Sequence, residues 1–255
     1  MGTIEPTTDE SLAPPVREIL TAARGRARSD ERVAVEARSL TDSLAAARDT
    51  GSAPLIAEIK PTSPTAEYEQ SIDPVTTAET MVSGGASAIS VLTEPDHFGG
   101  SIEALEVVRD AVSAPVLRKD FVLNESQLDA GPADAVLLIT RFLDDLEGMI
   151  EAARERGMTP LVETHTRAEV KQAVAAGAQV IGVNNRDLGT LTVDRSTVET
   201  LAPAIPDDVT VIAESGIETP AHRERMLDAG ADGLLVGSAI MNGDIESNTE
   251  ELVSR

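Results

Sequence analysis

From Pro54 onward the chain repeats one unit: a short aliphatic run, a polar loop, a helical pattern, a glycine, then the next run. The runs cover residues 55–60, 88–92, 116–119, 135–140, 160–163, 180–184, 210–214 and 233–236. All are too short for helices and rich in β-branched and other aliphatic residues, the signature of buried strands. Amphipathic helical patterns fall between them, most clearly over 143–156 and 167–175. A weak internal repeat supports the unit: GGASAISVL from Gly84, AGAQVIGVN from Ala176 and AGADGLLVG from Ala229 each pair a helix-ending glycine with an apolar strand. Strands alternating with helices imply parallel βαβ units, and eight of them in roughly 200 residues predict a closed (β/α)8 TIM barrel. A doubly wound open sheet is the alternative, but no GxGxxG follows the first run.

Residues 1–53 lack strand signals and carry two helical patterns, 15–27 and 40–48. The second has Ser39 or Thr41 placed as its cap and Gly51 placed to end it. We expect a helical extension over 1–53 that covers one end of a barrel over 54–255, in one structural domain, with residues 1–10 fraying.

Composition narrows the function. With no cysteine there is no disulfide, thiolate metal site or thiol nucleophile. Histidines 97, 165 and 222 share no ligand spacing, and Glu94 and Asp96, which could in principle hold a divalent ion, have no second cluster beside them, so no metal is expected. His165 is expected as a hydrogen-bonded loop residue or as a support for nearby Glu163, and His222 as a surface residue. Neither a signal peptide nor a membrane anchor is expected, which points to the cytoplasm. A net charge of -23 argues against nucleic acid or anionic membrane as partner. An acidic chain with only three lysines, Lys60, Lys119 and Lys171, resembles proteins of concentrated salt, where screening suppresses self-repulsion.

In such a barrel, reactive groups belong at the C-terminal strand ends. Polar residues do gather there: Glu58 and Lys60 on the first run, Lys119 on the third, Glu163 on the fifth, Asn184 and Arg186 at the sixth, Glu214 and Ser215 at the seventh, Gly237 and Ser238 after the eighth. Glu58 and Lys60, two apart, share one face of a strand that Pro61 and Pro64 stop. The bland reading of that pair is a surface ion pair on an edge strand. Lys171, mid-helix, is expected at the surface. Converging acids and bases shift one another's pKa, so a crowded glutamate rises and suits a base, while a lysine between carboxylates keeps its proton. Ser215, Gly216, Gly237 and Ser238, with Ser63 and Lys60, form a candidate phosphate cradle of approachable backbone N–H groups. Lys60, Lys119, Arg118 and Arg186 are expected to supply positive charge for an anionic substrate.

Several segments together carry a family resemblance: IAEIK with Ser63 and Pro64, VLTEPDHFGGS from Val91, VLRKDFV from Val116, LVETH from Leu161, IGVNNRDLGTL from Ile181, IAESGI from Ile212 and LLVGSAIM from Leu234. In this order, over about residues 39–242, the chain resembles indole-3-glycerol phosphate synthases. The resemblance implies a barrel with extra N-terminal helices and a cofactor-free reaction: ring closure, decarboxylation and dehydration of 1-(2-carboxyphenylamino)-1-deoxyribulose 5-phosphate. It implies Lys119 as general acid and Glu163 as base or stabiliser of positive charge on the anilino nitrogen. Lys60 would hold the phosphate side and the leaving carboxylate, and Glu58 would assist dehydration. Asn184 and Arg186 would orient substrate, Glu214 and Ser215 would fix sugar hydroxyls, and Phe98 and Phe121 would pack on the anthranilate ring. Phosphate would fall to Ser63, Gly216, Gly237 and Ser238. Two features depart from the family pattern: Pro61, where a basic residue is usual, and SPTAEY, where a glycine soon follows SPS. Two rivals share the phosphate end, a phosphoribosylanthranilate isomerase-like barrel, which normally uses a cysteine, and a non-catalytic phosphometabolite-binding barrel.

Overall fold

The computed structural model describes residues 11–26, 31–63 and 72–254. Two helices, α1 (Pro14–Gly25) and α2 (Leu40–Asp49), precede the first strand. Then follow β1 (Leu55–Ile59), α3 (Pro74–Ser83), β2 (Ala88–Leu92), α4 (Pro95–Phe98), α5 (Ile102–Ala111), β3 (Val116–Lys119), β4 (Ala135–Ile139), α6 (Leu146–Glu155), β5 (Thr159–Thr164) and α7 (Arg167–Ala175). The chain continues through β6 (Val180–Asn184), α8 (Ser196–Leu201), β7 (Thr210–Glu214), α9 (Pro220–Asp228), β8 (Gly233–Val236), α10 (Ser238–Met241) and α11 (Ile245–Val253). Every neighbouring strand pair is parallel, and β8 pairs with β1, closing an eight-stranded barrel. The bland edge-strand reading of β1 therefore fails: β1 is buried along its whole length. No described helix is long and apolar enough to cross a membrane.

Strand alternation builds two cores. Leu55, Ala57 and Ile59 of β1 face outward into the layer under the helices, with Ile89, Val136, Val162 and Ile181. Ile56 of β1 faces inward, with Ala88, Leu117, Leu137, Leu161, Ile212 and Leu235. Because the side-chain period is two, the inward set continues upward to Glu58, Lys119, Glu163, Asn184 and Glu214 at the strand ends. The barrel helices start with one recurring device: Asp73, Ser101, Asp145, Thr166, Thr219 and Asp244 each accept the N–H three residues on. Each such cap contributes about 1 kcal/mol.

Several boundaries differ from the sequence expectation. Lys60 lies just past β1, Thr140 opens a 3₁₀ turn instead of ending β4, and Thr159 joins β5. Helix α6 starts at Leu146, not 143, because Asp145 caps it by accepting from Gly148 N–H at 2.9 Å. Between β3 and β4 only a 3₁₀ helix, Glu125–Ala130, replaces an α-helix. Helix α1 runs Pro14–Gly25 where the pattern gave 15–27, and position 27, the fraying expected at 1–10, and Pro64 lie outside the described residues.

The expectation that the N-terminal helices cover one end is also corrected, since they divide between both. Leu44 of α2 packs on Gly233 at the foot of β8, and Arg48 donates to Asp232 at 2.9 Å, so α2 seals the N-terminal end. Helix α1 lies at the other end: Ala13 N–H donates to Leu188 O at 2.9 Å, beyond β6, and Gln127 donates to Ala23 O at 2.6 Å.

Candidate active site

The C-terminal strand ends enclose a mouth of about 1060 Å³, counting the open solvent above it. It is lined by Glu58, Lys60, Lys119, Glu163, Asn184, Arg186, Glu214, Ser215, Gly216, Gly237 and Ser238, and by the rings of Phe98 and Phe121. These thirteen are all expected site residues, and they converge. Ser63, the remaining one, is half-buried just outside the lining, and the segment from Pro64 lies outside the described residues.

Lys119 sits at the centre. Its Nζ lies 3.7 Å from Glu58 Oε2 and 3.6 Å from Glu214 Oε2, and its side chain is 19% exposed. Burial disfavours its charge, but Glu58, Glu214 and Glu163 outweigh burial and raise its pKa above the ordinary lysine value. The ion pair of Glu58 is thus with Lys119, across the barrel, and not with its own strand neighbour Lys60. Lys60 Nζ instead donates to Ser238 Oγ at 3.3 Å. Its pKa is lowered, mainly by burial and also by Lys119 and Arg186, against the pull of Glu58.

The two deep glutamates diverge. Burial and the neighbouring carboxylates of Glu163 and Glu58 push Glu214 up to about 8. Burial acts the same way on Glu163, but His165, Lys119 and Asn184 overcome it and hold Glu163 down at about 2. The crowded glutamate whose pKa rises is therefore Glu214. Glycines shape the space for these acids: a Cβ at Gly182 of β6 would collide with Glu214 Oε1, and one at Gly237 would lie 2.6 Å from Glu58 Oε1. Asn184 Oδ1 accepts from Arg186 N–H at 2.9 Å, and Arg186 donates to Leu191 O at 2.9 Å, which turns the Arg186 loop over the rim.

After β7 the backbone takes two consecutive left-handed steps, Ser215 at φ 67° and Gly216 at φ 74°. The first is a conformation that costs a non-glycine residue about 1–3 kcal/mol and is typical of functional turns. At Gly216 a Cβ would collide with Val193 Cγ1.

One expectation is corrected here. Arg118 does not line the mouth: Leu117 and Lys119 point inward, so Arg118 points outward and is buried. It donates to Asp120 at 3.1 Å, Thr93 at 3.3 Å and Gln127 O at 2.6 Å. Glu94 is not half of an ion-binding pair with Asp96. Its carboxylate caps α4 by accepting from Asp96, His97 and Phe98 N–H, and it pairs with Arg26 at 3.2 Å. Among the described residues no cluster of three or more potential metal ligands exists. Arg26, near the end of α1, bonds both Glu94 and Asp120, so α1 braces the loops that carry Phe98 and Phe121. Sequence reasoning missed Arg26 and Asp120, and no local signal marks them, since the partners are 94 residues apart. It also missed the apolar floor, Leu137, Ile139, Leu188 and Leu235, whose inward register was visible in the alternation. Lys171 is exposed on α7, as expected.

The family model described as Indole-3-glycerol phosphate synthase matches residues 10–252. An indole-3-glycerol phosphate synthase of Haloarcula marismortui is 59% identical over 252 residues, 95% of this chain and 93% of that protein. One from Halobacterium salinarum is 58% identical, covering 96% and 98% respectively, and indole-3-glycerol phosphate synthase 1 of Streptomyces coelicolor is 44% identical, covering 94% and 92%. The first two sources are haloarchaea, in keeping with the acidic, lysine-poor composition. Among solved structures, an N-acetylmannosamine-6-phosphate 2-epimerase from Clostridium perfringens superposes with a TM-score of 0.62 at 16% identity, over 82% of this chain and 94% of that one. A thiamine phosphate pyrophosphorylase from Pyrococcus furiosus does so at 0.59 and 19%, over 84% and 96%. These two likenesses concern the fold alone. The matches in sequence go further, and the chain belongs to the indole-3-glycerol phosphate synthase family.

Proposed function

We propose that Lys119, Glu163, Lys60, Glu58 and Asn184 carry out the chemistry of this family in the mouth described above. That chemistry converts 1-(2-carboxyphenylamino)-1-deoxyribulose 5-phosphate into indole-3-glycerol phosphate, carbon dioxide and water, a carboxy-lyase step of tryptophan biosynthesis. The carboxylate-bearing ring carbon attacks the ribulose carbonyl. One C–C bond forms, and the carbonyl oxygen takes a proton as its charge builds. Lys119 is the donor, held protonated between Glu58 and Glu214, and this central ammonium is the observation that carries the proposal.

Attack leaves positive charge on the anilino nitrogen, which the ionised Glu163 stabilises. Loss of carbon dioxide returns the bonding electrons to the ring. The new hydroxyl then departs as water and a proton leaves the adjacent carbon, a step assigned to Glu58 with Lys119. Lys60 clamps the substrate's anions, Asn184 and Arg186 orient it, and Glu214 with Ser215 holds sugar hydroxyls. Gly216, Gly237, Ser238 and Ser63 cradle the phosphate, and Phe98 and Phe121 flank the anthranilate ring. Three cations, Lys60, Lys119 and Arg186, line the mouth, and Arg26 and Arg118 neutralise Glu94 and Asp120 in its wall. A phosphorylated small molecule as substrate, without nucleic acid or membrane, fits a cytoplasmic enzyme.

The test is turnover in molar KCl with the carboxyphenylamino-deoxyribulose phosphate, following indole absorbance and carbon dioxide in equal amounts. No turnover at any salt concentration overturns the reading of the reaction. Equal losses in Lys119→Ala and Lys171→Ala overturn the assignment of the rim.

A further inference from the structure

His165 follows β5 at the foot of the loop leading into α7, behind Glu163, and does not line the mouth. Its side chain is 3% exposed, and a carboxylate faces each ring nitrogen: Glu163 Oε1 is 3.1 Å from Nε2 and Glu169 Oε2 is 3.4 Å from Nδ1. A neutral imidazole has one N–H, so with either tautomer one carboxylate would face a lone pair. Neither ring nitrogen makes an aligned hydrogen bond, and each faces a carboxylate at ion-pair distance, so the form that suits both contacts is the imidazolium.

The surroundings fix this arrangement from every side. Glu169 is held on α7 by Arg141, whose Nε donates at 3.0 Å, and by the backbone N–H of His165 at 2.6 Å. Thr166 caps that helix by accepting from Glu169 N–H at 3.2 Å. On the far side of Glu163 stand Lys119 of β3, Asn184 of β6 and Glu214 of β7. A buried line of alternating charge thus runs Arg141, Glu169, His165, Glu163, ending at the reacting centre.

We propose that His165 is a positioning residue. As an imidazolium held between Glu163 and Glu169, it keeps Glu163 ionised and aimed at the rim. The inference rests on the role given to Glu163 above. It adds which residue sets that carboxylate's charge. The balance of effects at His165 agrees: burial opposes its charge, Glu163 and Glu169 more than compensate, and its pKa rises to about 8.

Two measurements test this. With three histidines in the chain, ¹⁵N-histidine NMR on the whole protein resolves each ring, and His165→Gln assigns the missing one. His165 should show imidazolium nitrogens at neutral pH. A neutral tautomer there overturns the proposal. In kinetics, loss of the imidazolium should lift the Glu163 acid limb into the working range. The ratio of His165→Gln to wild-type kcat/KM should then fall steadily as pH is lowered, approaching about tenfold for each step of one in pH below the lifted limb. The loss should be larger in kcat than in KM. Glu169→Gln should move the same limb in the same direction by less. Profiles parallel to the wild type in both variants overturn the proposal. Should His165→Gln not fold, the wild-type spectrum and the Glu169→Gln profile decide it. Should the wild type show no turnover, the reaction assignment falls while the spectrum still decides the state of His165.

Discussion

The barrel buries a carboxylate at each end, and the two are treated in opposite ways. Asp134, before β4 at the N-terminal end, is 0% exposed and Glu214, closing β7 at the C-terminal end, is 1% exposed. Asp134 accepts from Arg38 N–H at 3.0 Å and Nε at 2.8 Å, from Arg109 Nε at 3.2 Å and from Val116 N–H at 2.8 Å. It ties the N-terminal segment, α5 and β3 into one joint. Among the described residues neither oxygen of Glu214 accepts a hydrogen bond, and Lys119 stands off at 3.6 Å. A buried carboxylate without hydrogen bonds is destabilising and survives where it serves chemistry. The closed end ties its buried carboxylate with several hydrogen bonds, and the open end sets its own beside a single lysine.

That contrast can be broken by experiment, starting where effects are largest. Lys119→Ala should lower kcat roughly a hundred- to ten-thousand-fold, the range for a lost general acid, with the far-ultraviolet circular dichroism unchanged. Asp134→Ala should leave KM near its wild-type value and destabilise by about 3 kcal/mol, the lower range for breaking a buried ion pair, since Arg38 and Arg109 keep partial solvent contact. Denaturant melts in molar KCl would measure it.

Glu214→Gln sharpens the comparison through pH. A carboxyl whose folded pKa is raised, here to about 8, contributes stability that is fully present below its unfolded pKa of about 4.3 and is lost as pH rises through the folded value. The variant does not titrate there, so its stability relative to wild type should climb between about pH 4.3 and about pH 8. A flat difference across that window would show Glu214 to be no more perturbed than a surface acid. The smallest effect belongs to Lys171→Ala, exposed on α7 away from both joints, which should change stability by less than about 0.5 kcal/mol and leave kcat unaltered.

Much of this was legible in the sequence because strand registry is a local property. Glu58, Lys119, Glu163, Asn184 and Glu214 stand at strand ends in phase with inward residues such as Ile56, Leu117, Leu161 and Ile212, so period-two alternation brings them together. The same rule puts Arg118 outward, which counting cations alone did not reveal. The joint at Asp134 was not legible, because it joins residues 96 positions apart through a turn whose path only the folded chain determines. His165 was visible as a residue near Glu163. Its second partner depends on how the loop enters α7 and sets Glu169 four positions on. Between β3 and β4 the one helical element is the 3₁₀ stretch Glu125–Ala130, which ends at Gly131, although the β5–β6 connection of similar length holds α7.

On the proposal above, the open end carries the reaction and the closed end carries stability. That division is tested most directly by measuring kcat and unfolding free energy side by side for Lys119→Ala and Asp134→Ala, in the same molar KCl buffer. A crossed result is expected: turnover lost with stability kept in the first, and stability lost with turnover kept in the second once it is folded. Parallel losses of both quantities in both variants would contradict the division.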